Sequence, residues 1–198
     1  MTSSIFRKKK KRSTLPKIIL IIIIGIVFFK VKIDKEVGKE LDSFNNVKVY
    51  FNGFPTKSFG RNLSEDGYNI GMKYQCVEFI KRYYFEYYNH KMPDTYGNAK
   101  DFYNKELKDG EINIKRGLLQ FSNPSFKKPS VGDIIIFKPY ILNPYGHVAI
   151  ISNVEDDNIE IVQQNVWKKT REKFKLTYEN NKWSINSKRV IGRLSLSE

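Results

Sequence analysis

The chain of 198 residues is long enough for one domain of ordinary size with an appendage. Its single cysteine excludes an internal disulfide, and together with two histidines it leaves a tetrahedral zinc site without obvious ligands, so we expect no metal or cofactor. The formal net charge of +14 suits anionic partners such as cell-wall polymers or membrane surfaces, although a lysine-rich composition with solvated charges would give the same value. No nucleic-acid-binding module and no phosphate-cradling glycine loop is recognisable.

The amino-terminal residues have the charge pattern of a membrane anchor. Residues 1–17 contain seven basic residues and no acid, and residues 18–33 are apolar except for Lys30 and Lys32. We predict a basic cytoplasmic tail at 1–17 and one transmembrane helix at 18–33, whose flanking lysines extend to the interfaces. A cleavable signal peptide is the alternative, but residues 28–32 offer no small-x-small site. Because the basic cluster precedes the helix, the rest of this single-pass protein is expected on the periplasmic or extracellular side.

The next segments lead to the cysteine. Residues 34–46 mix charges with spaced apolar positions and are interpreted as a short helical stalk. Residues 47–51 alternate like a strand that ends at Asn52-Gly53, and residues 55–71 have the composition of a loop. We assign residues 47–198 to the catalytic domain.

A helix is predicted to begin at Cys76. Apolar residues recur at helical spacing from Cys76 to Tyr87, and Glu78, Lys81 and Arg82 occupy the other side. The free N–H groups of a helix start stabilise a thiolate, so this position is expected to lower the pKa of the cysteine and to activate the sulfur as a nucleophile. The alternative is that a lone cysteine is a small buried apolar residue.

The second half of the chain predicts mostly strands. A shorter helix is expected from Gly97 to near Gly110, and a strand at residues 133–137. Residues 147–154 and 158–165 flank Glu155-Asp156-Asp157 and predict a hairpin. In this hairpin the polar end of the second strand folds back beside the start of the first, so Gln163 and Asn165 are both candidates to lie beside His147. Further strands are expected at 171–178, 182–185 and 188–196.

A cysteine at a helix start, a histidine at a strand start and an amide on the neighbouring strand are the parts of a thiol hydrolase. In such a site the histidine takes the thiol proton, the sulfur attacks a carbonyl, and the polar third group holds the imidazole in one tautomer. His90, at the carboxyl end of the Cys76 helix, is interpreted as an exposed helix-end histidine.

Four segments, in this order and spacing, carry a resemblance to a known family. The segments 75–79 (QCVEF), 97–101 (GNAKD), 132–137 (GDIIIF) and 146–151 (GHVAII) resemble the CHAP domain, the cysteine, histidine-dependent amidohydrolases/peptidases. Within that family, residues 74–79 and 160–165 are most similar to the amidase half of glutathionylspermidine and trypanothione synthetases. The resemblance implies an α+β, papain-like fold of the NlpC/P60 type, with amino-terminal helices packed on an antiparallel sheet.

The resemblance also implies roles for individual residues. Cys76 would be the nucleophile, His147 the general base and then the acid, and the backbone N–H of Cys76 part of an oxyanion hole. Those amidases usually carry a glutamate where this chain has Gln163. A neutral amide can still fix the tautomer, but it stabilises the imidazolium less than a carboxylate does, and Asn165 is the other candidate for this role.

Three functions follow from these patterns. The first is a membrane-anchored cysteine amidase or peptidase that cleaves peptidoglycan, the abundant amide polymer outside a bacterial cell. The second is an amidase of the glutathionylspermidine type, whose substrate is a cytosolic metabolite. The third is an inactive, anchored binding module that keeps the fold; Cys76 and His147 argue against it.

Overall fold

The computed structural model describes residues 15–197 and divides the chain into two compact units, residues 1–36 and residues 37–198. The predicted basic tail at 1–17 therefore lies almost wholly outside the described residues. The first unit contains helix α1 (Leu15–Glu36), whose apolar side chains from Ile18 to Phe29 are exposed.

The structure does not support the predicted transmembrane anchor at 18–33. Between residues 15 and 197, none of the helices is both long enough and apolar enough to cross a bilayer. Helix α1 fails this requirement because charged residues lie at both ends of its apolar run. Lys17, Lys30 and Lys32 confine the uncharged stretch to residues 18–29, whereas a span needs about 20 apolar residues.

The predicted helical stalk at 34–46 is also wrong beyond Glu36. Strand β1 (Glu40–Phe44) forms an antiparallel hairpin with β2 (Val47–Tyr50), in which Phe44 is opposite Val47. Asn45 and Asn46 make the turn with φ values of 48° and 65°. Positive φ at both central residues is the requirement of a tight type I′ hairpin turn, and asparagine tolerates it well.

Two further segments differ from the predictions. The predicted loop at 55–71 contains a second small hairpin, β3 (Arg61–Leu63) with β4 (Asn69–Met72). The helix expected between Gly97 and Gly110 is a single 3-10 turn, Ala99–Phe102, closed by a capping box between Asn98 and Asp101. The helix at the cysteine is confirmed as α2 (Cys76–Tyr88).

The remaining strands form one antiparallel sheet of eight. They are β5 (Ile112–Asn113), β6 (Leu118–Ser122), β7 (Ile134–Phe137), β8 (His147–Val154), β9 (Asn158–Val162), β10 (Arg171–Glu179), β11 (Lys182–Ile185) and β12 (Val190–Ser195). Their spatial order is β11-β10-β9-β8-β7-β12-β6-β5. The sheet curls, because Trp183 in β11 exchanges two backbone hydrogen bonds with Ser125, just beyond β6. The fold is thus α+β with mostly antiparallel strands, as predicted.

Both faces of the sheet centre are buried, which explains why β7 and residues 148–151 of β8 are continuously apolar. On one face, Ile134, Ile136, Val148 and Ile150 belong to the core cluster that includes α2 and β2. On the other face, inside the curl of the sheet, a second cluster is formed by alternate residues of the same strands and by β9 to β12: Ile135, Phe137, Ala149, Ile151, Ile159, Ile161, Leu176, Ile185 and Val190.

Candidate active site

The amino end of α2 is half-buried, and its backbone N–H groups are free of a side-chain cap. Gln75 is the N-cap residue in an extended conformation, and its side chain makes no capping hydrogen bond. The first N–H groups of a helix have no partner within the helix, so they can meet negative charge that develops beside Cys76. Gly71 lets β4 pass close to this helix start, because a Cβ there would lie 3.1 Å from the Cα of Glu78.

The predicted polar side of α2 is buried rather than solvated. Glu78, Lys81 and Arg82 are each no more than 5% exposed. The Glu78 carboxylate accepts hydrogen bonds from Arg82 Nε (2.7 Å) and Asn62 Nδ2 (2.9 Å), and Arg82 Nη2 donates to the carbonyl of Lys48 (2.7 Å). The two small hairpins cover this side of the helix, and Lys81 Nζ donates to the carbonyl of Thr95 (3.0 Å), so all three buried charges have partners. The Cys76 helix is therefore held from both sides.

His147 is buried at the start of β8 and contacts Gln163. The His147 Nε2 and Gln163 Oε1 atoms are 2.9 Å apart, while Gln163 Nε2 donates to the carbonyl of Lys169 (3.3 Å). Because the amide donates from its nitrogen to that carbonyl, its oxygen faces the ring as an acceptor. Nε2 of His147 therefore carries the proton and Nδ1 is left with a free lone pair.

Asn165, the other candidate predicted beside His147, binds elsewhere. Its side chain donates to Gln75 Oε1 (2.6 Å) and to the carbonyl of Pro55 (3.2 Å), and accepts from Asn52 (2.8 Å). The structure thus brings Gln163 to the imidazole, while Asn165 ties the loop at residues 52–55 to the residue before the cysteine.

Gln164 completes a run of three amides with separate partners. Its Nε2 donates to the carbonyl of Gln75 (3.0 Å) and to Glu78 Oε2 (2.9 Å), and its Oε1 accepts from the backbone N–H of Tyr50 (2.7 Å). Sequence reasoning assigned no role to this residue. The uninterrupted Gln-Gln-Asn run at the end of an apolar strand could have indicated a role for Gln164.

Burial governs the charges of the two candidate catalytic residues. It raises the pKa of the Cys76 thiol from 9.0 to about 11, although backbone hydrogen bonds from Val148, Val77 and Cys76 itself lower it. Burial also lowers the pKa of His147 from 6.5 to about 4, opposed by its hydrogen bond with Gln163. The predicted lowering of the thiol pKa is therefore wrong: loss of water outweighs the helix start. At neutral pH both groups are uncharged.

Cys76, His147 and Gln163 line one cleft of about 770 Å³. Its walls come from the loop at 55–58, the 3-10 turn and the segments at 137–147 and 163–167, and they include several exposed aromatic side chains: Tyr96, Tyr140, Tyr145 and Trp167. The cleft is open enough for a peptide-sized substrate to reach the sulfur.

The second histidine lies outside this cleft. His90 is half-buried rather than exposed, and its Nε2 lies 2.8 Å from the carbonyl oxygen of Arg116. Over residues 15–197, no three His, Cys, Asp or Glu side chains are grouped in a way that would hold a metal ion. The chemistry that the described residues offer is that of the thiol, the imidazole and the amide.

Comparison with known proteins identifies the family. The model of the CHAP domain matches residues 67–165, half of the chain, from just before β4 to Asn165. The chain belongs to the CHAP domain family. Cys76, His147 and Gln163 all lie within the matched segment of this CHAP domain. Membership supports a hydrolase acting on amide bonds.

Curated relatives agree with this assignment. The chain is 29% identical over 145 residues to the trypanothione synthetase of Crithidia fasciculata, a match that covers 71% of this chain and 22% of that protein. It is 33% identical over 108 residues to the bifunctional glutathionylspermidine synthetase/amidase of Escherichia coli, covering 54% of this chain and 17% of that protein. The matched part of this chain thus spans about a fifth of the length of these relatives.

A solved structure also matches, over a shorter part of the chain. The crystal structure of Ly7917 with the hydrolyzing product of MDP is 26% identical and covers 38% of this chain and 32% of its own, with a TM-score of 0.26. A superposition of that extent carries no argument about the fold or the site.

Proposed function

We propose that this CHAP domain is a cysteine amidohydrolase or peptidase that cleaves amide bonds in peptidoglycan. The observation that carries the proposal is the arrangement of one cleft, which is lined both by the only sulfur nucleophile of the chain and by a histidine oriented by Gln163. Membership in the CHAP family supports the reaction class.

The first half of the proposed reaction forms an acyl-enzyme. Nδ1 of His147 takes the proton of the Cys76 thiol as the sulfur attacks the carbonyl carbon of the substrate. The oxygen of the tetrahedral intermediate is stabilised by backbone N–H groups at the start of α2. When the C–N bond breaks, the imidazolium gives its proton to the leaving amine, and a thioester with Cys76 remains.

The second half releases the acyl group. Neutral His147 takes a proton from water, the hydroxide oxygen attacks the thioester carbonyl, and the C–S bond breaks. The sulfur recovers its proton from the imidazolium, and a carboxylic acid leaves. Because both groups are uncharged in the resting site, proton transfer from sulfur to nitrogen accompanies the attack instead of preceding it.

The experiment compares the purified full chain with Cys76→Ala on two substrates, peptidoglycan and glutathionylspermidine, measured by the release of new amino groups. We expect hydrolysis of peptidoglycan and a loss of at least about a thousandfold in Cys76→Ala, since the nucleophile is removed. Lys105→Gln, an exposed change away from the cleft, is the matched control. Turnover by Cys76→Ala would overturn the thiol mechanism.

The similarity to glutathionylspermidine synthetase/amidase favours a second substrate, and the same assay decides between them. Faster hydrolysis of glutathionylspermidine than of peptidoglycan would make the chain an amidase of that type. The third alternative, an inactive binding module, predicts no hydrolysis of either.

The proposal includes a location outside the cytoplasm, where peptidoglycan lies. It rests on the proposed substrate alone, since none of the helices within residues 15–197 is long and apolar enough to span a membrane. An enzyme reporter that is active only outside the cytoplasm, fused after Glu198, tests this location. Reporter activity confined to the cytoplasm would contradict it.

A further inference from the structure

Each of two cleft walls carries one arginine that the proposed chemistry leaves unused. Arg61 lies in β3, and its register partner is Met72 at the end of β4, shortly before Cys76. The Arg61 guanidinium carbon is 5.2 Å from the centroid of the Tyr96 ring, and Nη1 makes one long hydrogen bond, 3.4 Å, to Asn69 Oδ1. This arginine therefore lies on the cysteine side of the cleft.

Arg189 lies on the histidine side. It precedes β12, and its carbonyl accepts a hydrogen bond from the backbone of Lys138 (2.8 Å), the residue after β7. The guanidinium carbon is 4.4 Å from the centroid of Tyr140 and 5.7 Å from that of Phe137, which is opposite His147 in the sheet. An aromatic ring against the guanidinium fixes its plane but leaves the N–H donors along its edge available.

Neither arginine has a carboxylate partner within residues 15–197. Of the other described arginines, Arg82, Arg171 and Arg193 each form an ion pair at 3.0 Å or less, and the buried Arg116 donates to backbone carbonyls instead. Of the described residues that line the cleft, the one acid is Glu172, and Lys169 already pairs with it at 2.7 Å. The cleft is therefore positively charged on both sides of the sulfur.

We propose that Arg61 and Arg189 bind carboxylates of the substrate on the two sides of the scissile amide, so that the site selects acidic peptides over amides of polyamines. This inference rests on the proposed function and names its substrate class. A planar guanidinium matches a carboxylate with two parallel hydrogen bonds, whereas the ammonium groups of a polyamine would meet like charge. The free carboxylates of peptidoglycan stem peptides meet this requirement.

The test uses soluble peptidoglycan fragments in two forms, untreated and with their carboxylates converted to neutral amides by carbodiimide and ammonia. The full chain, Arg61→Gln, Arg189→Gln and the control Lys105→Gln are compared at pH 8. For untreated fragments we expect each arginine variant to raise KM about tenfold with little change in kcat. The reason is that each variant loses one charge-assisted hydrogen-bonded contact with the bound substrate. For the amidated fragments, the unmodified chain and both arginine variants should share one KM, and this KM should be higher than that of the unmodified chain for untreated fragments.

Neither arginine substitution is expected to change the fold or the charge of His147. Both arginines are exposed, so their replacement leaves the core intact, and unchanged thermal unfolding verifies this. Arg189 also lowers the pKa of His147, but that pKa is about 4, so the imidazole of Arg189→Gln should remain neutral at pH 8.

The outcomes separate this inference from the proposed function. Equal kcat/KM of the unmodified chain on untreated and amidated fragments would overturn the charge preference while the hydrolase proposal stands. Arginine variants that lose the same activity on both forms would also overturn it. If no amine is released from either form, while a lytic enzyme in parallel releases it, the proposed function fails and this inference fails with it.

Discussion

Cys76 and His147 lie in surroundings that favour their uncharged forms. Burial raises the pKa of the thiol to about 11 and lowers that of the imidazole to about 4. The loss of water destabilises the thiolate and the imidazolium. This effect is larger than the stabilisation of the thiolate by the helix start and of the imidazolium by the Gln163 amide. The resting site is therefore a neutral pair whose reactivity depends on the substrate that enters.

Alkylation of the lone cysteine tests this state directly. With iodoacetamide, the rate of labelling should rise steadily from pH 7 to beyond pH 10, because the reactive thiolate forms only as the pH approaches the pKa of about 11. A peptide with an ordinary cysteine, whose rate levels off above about pH 9, is the control. A rate for Cys76 that levels off below pH 8 would show a preformed thiolate and contradict the neutral pair.

Gln163 is expected to act as a positioning residue for His147. Gln163→Ala should lower kcat/KM by about tenfold to about a thousandfold, because the imidazole loses the acceptor that fixes its tautomer. Gln163→Glu should raise the pKa of His147, since a carboxylate favours the imidazolium, and should move the acid limb of the pH–rate profile to higher pH. The profile is the measurement that separates this role from a structural one.

Asn165→Ala provides the comparison for this prediction. Asn165 binds Gln75 and the loop at 52–55 rather than His147, so its loss should leave the acid limb where it is. An acid limb that moves in Asn165→Ala and stays fixed in Gln163→Glu would reverse the two roles.

At the residue scale, the sequence was sufficient to predict which side chains meet but not their charges. Strand period two correctly brought the end of β9 to His147, although Gln163 and Asn165 remained equivalent until their partners were visible. The thiol pKa was predicted with the wrong sign, because a helix start is readable from sequence whereas the loss of water around Cys76 depends on tertiary packing.

At the element scale, the run from Gln163 to Asn165 joins three parts of the domain. One amide holds the β8 histidine, the next holds the start of α2, and the third holds the loop at 52–55. The end of a single strand thus fixes the relative positions of the β8 histidine and the start of α2.

The centre of the sheet contains a buried ion pair whose loss is expected to be costly. Arg193 Nε in β12 lies 3.0 Å from Asp133 Oδ2, next to β7, and Ser195 Oγ donates to the other carboxylate oxygen (2.6 Å). Arg193→Met should lower the free energy of unfolding by about 3–5 kcal/mol, because the buried Asp133 carboxyl group loses its ion-pair partner. Urea denaturation measures this, and the exposed Lys188→Met is the control.

Replacing both members of this ion pair tests the same explanation from the opposite direction. Asp133→Leu combined with Arg193→Met should recover much of the lost stability, since no isolated charge remains in the core. A double variant that is less stable than Arg193→Met alone would show that the carboxylate acts mainly through its other hydrogen bonds.

Most elements that the sequence missed are short and local, but β6 (Leu118–Ser122) was also missed, although it pairs with the distant β12. The Asn45-Asn46 turn was read as part of a stalk, because two asparagines outside an obvious alternating pattern were not recognised as a turn with positive φ. The β3–β4 hairpin, at three and four residues, is too short to show a period. Strands β8 to β12 were predicted to within three residues at either end. Among them, β8 and β9 bury clear apolar faces.

At the scale of the whole molecule, the catalytic cleft and both core clusters lie in residues 37–198. A fragment of these residues should fold alone and should hydrolyse soluble peptidoglycan fragments with a kcat/KM within about twofold of the full chain, because no cleft residue is removed. Thermal unfolding and steady-state kinetics check this. A fragment that is folded but inactive would mean that residues 1–36 contribute to the site.

The position of strand β12 determines when the eight-stranded sheet can be completed during synthesis. Strand β12 is the last strand in chain order within residues 15–197, yet it lies between β7 and β6 and pairs with both. On the ribosome, the edges of β6 and β7 therefore stay open until residues 190–195 have left the exit tunnel. An unpaired strand edge is a template for misassociation. Chaperones or rapid completion of synthesis must protect this interval, and chains interrupted before Val190 would be preferred substrates for quality-control proteases.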